Sequence, residues 1–80
     1  MITDPDQKII SLFNQASYHF ADDSTSEWQK GYRNLDLAAE IIFEQQYPLY
    51  RIKELVQESR SLVDLDTMLT RILKLAYKAS

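Results

Sequence analysis

Eighty residues of 9.4 kDa hold one hydrophobic core, and with 45% hydrophobic and 26% charged residues the composition is that of a soluble globular domain. Nine Lys and Arg against twelve Asp and Glu leave a net charge of −3, which argues against a nucleic-acid partner held by bulk charge. The lack of cysteine excludes disulfides, thiolate catalysis and Cys-ligated metals, a single histidine excludes His-based zinc sites, and no apolar run is long enough to span a membrane.

One glycine and two prolines are too few for a β-sheet protein of this length, and the apolar residues follow the helical period in four segments. The expected fold is therefore all-α, a small antiparallel four-helix bundle forming a single domain over 1–80. The acidic start Met1-Ile2-Thr3-Asp4-Pro5-Asp6 has no signal-peptide pattern, so a cytoplasmic protein is expected. The first helix is predicted over 5–21, with Asp4 as N-cap, Pro5 at the first helical position, and Ile9, Ile10, Phe13, Ala16 and Phe20 on one face.

The second helix is predicted over 25–46 behind a capping box, in which Ser24 and Glu27 satisfy each other's backbone N–H groups. Trp28, Tyr32, Leu35, Ala39 and Ile42 form its stripe, widened by Leu37, Ala38 and Ile41, which suits a central helix covered on two sides. Gly31 is a soft spot where Asn34 would cap a fresh start, and Pro48 ends or kinks the helix. A third helix over 49–61 buries Leu49, Ile52, Leu55, Val56 and Ser59. A fourth over 65–78 is capped by Asp64 and stapled by Val63 and Met68. Its apolar face is Leu65, Met68, Leu69, Ile72, Leu73, Ala76 and Ala79, and Lys74 and Lys78 complement the dipole near its end.

Catalytic motifs are missing: there is no Gly-rich phosphate loop, nucleophile elbow or paired metal-ligand motif, so no catalytic, cofactor or metal residue is assigned and no enzyme is expected. His19 has a natural pKa near neutrality, but only its residue type suggests phosphotransfer; the ordinary reading is a histidine favoured by a helix C-terminus. Glu40 with Glu44, and Glu54 with Glu58, lack the Glu-x-x-His partners of a di-iron bundle and read as solvated faces. Asp23-Ser24 lacks the glycine and leucine that surround the modified serine of acyl carrier proteins, so Ser24 reads as a cap. The last two helices, read as a helix-turn-helix, would aim Asp66 at phosphates, although Arg71, Lys74 and Lys78 form a small basic strip.

The aromatic residues carry more weight. Tyr47 and Tyr50 flank Pro48 at a helix junction, and Phe43 lies off the main stripe of the second helix. Amphipathic rings at such a corner are common protein-binding anchors. The candidate protein-binding residues are therefore Phe43, Tyr47 and Tyr50, with the basic strip Arg71, Lys74 and Lys78. A core this small leaves apolar surface that also suits a homodimer.

In size and helix pattern, through Ile9 to Phe20 and Leu65-Asp66-Thr67-Met68-Leu69-Thr70-Arg71-Ile72-Leu73, the chain resembles the bacteriocin immunity proteins of lactic acid bacteria. The resemblance implies a bacterial helical bundle that protects its producer by acting at a membrane receptor. Members are usually longer and many are basic, whereas this chain is acidic, and no functional residue of the family carries over. The other class consistent with the sequence is a soluble regulatory binding protein, such as an anti-activator, an antitoxin-like protein or an adaptor.

Overall fold

Short polar side chains satisfy the free backbone N–H groups where two of the helices begin. A computed structural model describes residues 4–59, 61 and 63–79, with every side chain among them except that of Ala79. Helix α1 spans Pro5–Phe20, and the Asp4 carboxylate accepts the Asp6 N–H at 3.0 Å. Helix α2 spans Thr25–Glu44, α3 Leu49–Glu58 and α4 Leu65–Ala79. Asp64 caps α4, its Oδ1 accepting the Thr67 N–H at 2.7 Å. The chain is thus all-α, with no strand among the described residues.

The capping box expected at α2 does not form. The Ser24 hydroxyl turns to that of Ser26, 2.8 Å away, and makes no bond to the helix. Glu27 meets His19 Nδ1 at 2.7 Å and Lys30 Nζ at 3.0 Å instead of reaching back to Ser24. Two side-chain partners, one of them the Lys30 ammonium, outcompete one backbone amide, because bonds to an ionised carboxylate from a charged donor are the stronger kind.

Helix α2 runs unbroken through Gly31 and Asn34. The glycine is there for closeness: a Cβ on it would lie 2.7 Å from Phe20 Cε1, so its absence lets the Phe20 ring rest on α2. The helix ends at Glu44, two residues before the expected stop, in a Schellman motif. Gln46 takes the left-handed conformation at φ 55°, its N–H donates to the Phe43 carbonyl, and the Tyr47 N–H donates to that of Ile42. Pro48 therefore neither kinks nor stops α2 and stands as the N-cap of α3. Helix α3 stops at Glu58, short of the expected 61, where the Ser59 backbone turns extended and its hydroxyl donates to the Val56 carbonyl at 2.9 Å.

Side-chain pairs fix the helix directions. His19–Glu27 joins the end of α1 to the start of α2, so the two run antiparallel. Arg51 on α3 meets Asp6 at the start of α1. Along α4, Thr67 lies by Trp28 and Tyr32, Arg71 meets Asp36, and Leu75 lies by Glu40 and Phe43, so α4 runs parallel to α2. Helix α2 thus packs against both α1 and α4, as its wide stripe implied.

The core joins Ile9, Leu12, Phe13 and Ala16 of α1 to Leu35, Ala38, Ala39 and Ile42 of α2, with Ile52, Leu55, Val63 and Met68 closing it. Val63 and Met68 are both buried, as a staple requires. Trp28, Tyr32, Leu37, Leu49 and Leu73, expected on apolar faces turned to the core, are exposed. Leu12 is buried and Leu75 packs against the core, although neither was expected there. Helix α4 is turned so that Leu75 rather than Leu73 borders α2. The place expected for the Ala79 side chain, and residues 1–3, lie outside the described residues.

Candidate functional site

Of the six residues expected to bind a partner, two serve the fold. Tyr47 is not an exposed anchor. It is half-buried, and its hydroxyl donates to Asp6 Oδ1 at 2.5 Å across 41 positions of sequence. The Arg51 guanidinium takes the other oxygen of Asp6 and also holds Glu54. Bonds from Tyr47 and Arg51 keep the Asp6 carboxyl below the usual range. Burial, aided by the bond to Asp6, pushes the Tyr47 phenol up to about 12. This clamp ties the start of α1 to α3.

Arg71 is likewise taken up within the molecule. It pairs with Asp36, and its guanidinium carbon lies 4.4 Å from the centre of the Tyr32 ring, a cation–π contact. It belongs to the α2–α4 seam rather than to an open basic strip.

The other four residues remain outward. Phe43, Glu40, Glu44 and Leu75 border one hollow between α2 and α4. Asp36, Glu40, Arg71, Lys74, Leu75, Tyr77 and Lys78 border the next, and Glu40 and Leu75 border both, so Phe43, Lys74 and Lys78 lie along two adjoining hollows. Together the two hollows carry three bases, Arg71, Lys74 and Lys78, and three acids of α2, Asp36, Glu40 and Glu44, which makes this side amphipathic rather than basic. Tyr50 stands apart on the first turn of α3, 67% exposed beside the exposed Leu49.

Sequence reasoning missed a second hollow at the opposite end of α2. Phe20, Trp28 and Tyr32 wall a cleft of about 230 Å³, floored by Leu35 and Val63 and edged by Asp64 and Thr67. The Trp28 indole N–H donates to the Asp22 carbonyl at 2.6 Å, and Phe20 meets Tyr32 edge to face at 5.0 Å. The available signal was the glycine among the rings of α2, since Gly31 lies three residues after Trp28 and next to Tyr32.

His19 is half-buried with Nδ1 committed to Glu27, unlike the exposed ring that phosphotransfer requires. Bonds from His19 and then Lys30 lower the Glu27 pKa. Glu40, Glu44, Glu54 and Glu58 are exposed, and among the described residues no three His, Cys, Asp or Glu side chains are grouped to hold a metal ion. No described helix is long and apolar enough to cross a membrane. Compared with protein-family models, curated proteins and solved structures, the chain matches none. The reading of function therefore rests on the surfaces themselves.

Proposed function

We propose that the chain is a non-catalytic protein-interaction module that offers the outer side of α4, with Phe43 of α2, to another protein. One observation carries the reading. Among the described apolar side chains of α4, Met68 alone is sealed: Leu65, Leu69, Ile72, Leu75 and Ala76 are half-covered, and Leu73 and Tyr77 are 65% and 86% exposed. A helix with so strong an apolar face and so little cover suits a partner that completes it.

In its specific form the module is of the bacteriocin immunity type and engages a membrane receptor, which the resemblance through α1 and α4 supports. A soluble regulatory partner is the second reading. The charge of the N-terminal half favours it: seven acids against three bases through Glu40 suit a basic target surface.

The test is affinity capture from detergent-treated lysate of the source organism, in soluble and membrane fractions, with wild type and Leu73→Glu side by side. Leu73 is exposed, so the variant is expected to fold as wild type does, checked by circular dichroism. An integral membrane protein retained by wild type and lost by the variant supports immunity, and protection of sensitive cells on expression follows from it. A stoichiometric soluble partner with the same loss replaces immunity with regulation. Equal capture by both chains removes α4 as the contact surface.

A further inference from the structure

We infer that the aromatic cleft between the α1–α2 turn and the start of α4 binds the cationic head of one basic side chain, an arginine or a methylated lysine, presented by a partner protein. This site is separate from the outer side of α4, so its failure leaves the reading above untouched.

Size is the first argument. The cleft, at about 230 Å³, is smaller than the roughly 300–1,000 Å³ pockets that enclose whole small-molecule ligands, and it suits a single head group. The walls are the second. Three rings converge on it, and Trp28 and Tyr32 keep 46% and 40% of their surface exposed, although Arg71 lies over the Tyr32 ring. The rings are also held in advance: the indole N–H is anchored on the Asp22 carbonyl, and Phe20 is seated by the bare Cα of Gly31. The molecule itself shows what Tyr32 accepts, since the guanidinium of Arg71 lies over its ring. Arg71 is not among the residues that line the cleft, and its charge is countered by Asp36.

Charge is the third argument and decides between occupants. Asp64 edges the cleft, and its bonds to Thr67 hold its carboxyl below the usual carboxylate range. Asp22, Asp23 and Asp66 are exposed nearby in sequence, whereas Lys30 and His19 are engaged by Glu27. An apolar side chain in the cleft would strip water from Asp64 without replacing it, and a cation would pair with it while lying on the rings.

The chain's one tryptophan is in the cleft, so its fluorescence and its indole N–H resonance report occupancy directly. The probes are short peptides differing at one central residue, arginine, trimethyllysine or norleucine, together with tetramethylammonium chloride, all at matched ionic strength. The expected result is saturable binding of the two cationic peptides, about tenfold tighter than the norleucine peptide. Asp64→Asn should lose that preference, and because asparagine caps helices as well as aspartate does, the fold is kept. Tyr32→Leu should weaken cation binding in the same way. Equal affinity for norleucine, an unchanged preference in Asp64→Asn, or no saturable signal would overturn the proposal. Binding of tetramethylammonium without either cationic peptide would overturn the assignment to a partner's side chain.

Discussion

The α1–α2 hairpin and the α3–α4 half are built to different standards. Among the described residues, eight of the twelve buried apolar side chains come from α1 and α2, and three of those are alanines that let the two helices approach closely. The second half gives Ile52 and Leu55 from α3, Val63 from the connection and Met68 from α4. The hairpin is joined by a four-residue turn, so its contacts close at little entropic cost. The second half is held to it by those four residues, by the Arg71–Asp36 pair on the seam and by the Asp6 clamp at the far end, and among its described residues α4 seals Met68 alone. The side that is least sealed is therefore the side with surface left for a partner.

The largest expected effect tests that inequality directly. Phe13 is fully buried in the hairpin, so Phe13→Ala should cost about 3–5 kcal/mol. Leu69 on α4 is only half-buried, and Leu69→Ala should cost about 1 kcal/mol. Urea denaturation of both variants, followed by circular dichroism, measures the difference. Equal losses would mean that α4 is as well packed as the hairpin and has no face to spare.

The clamp between the halves gives the next effect, and it depends on pH. Asp6 has a folded pKa below its unfolded one, so its contribution is complete above the unfolded value near 4 and is lost as pH falls through the folded value. Tyr47 has a raised pKa, so its contribution is complete below about 10 and is lost as pH rises toward about 12. Tyr47→Phe removes the bond to the Asp6 carboxylate and should cost about 1–2 kcal/mol at neutral pH. It should also flatten the decline above pH 10. Melting curves from pH 3 to 11 check both limbs, and an unchanged alkaline limb would show that Tyr47 does not join the halves.

How much of this could be read from the sequence follows from the range of each interaction. Asp4 and Asp64 were legible as caps because a cap acts within three residues. Pattern alone also implied the central place of α2. Tyr47 was misread because its partner, Asp6, lies at the other end of the chain, and a tyrosine beside a proline looks the same with or without one. Arg71 was misread for the same reason, its partners Asp36 and Tyr32 being on another helix. Gly31 was read by its helix propensity, whereas its use is the close approach of Phe20. The aromatic cleft needs both facts at once, the bare glycine and the turn that brings Phe20 back to it, and no local pattern holds both.

The joint between the halves gives the smallest effect. Gln46 is the left-handed residue just past the end of α2, and its φ of 55° is a conformation that costs an L side chain about 1–2 kcal/mol. Glycine adopts it freely but adds entropy to the unfolded chain, about 0.5–1 kcal/mol, so Gln46→Gly should gain only about 0.5 kcal/mol. For a domain of this size that is a rise of about 2–4 °C in Tm. Gln45 is the control, because it sits at φ −85° and a glycine there brings the entropic cost with no relief of strain. The pair should therefore move in opposite directions. If both glycines lower Tm, the left-handed turn is not what ends α2, and the break between the halves would have to come from Pro48 after all.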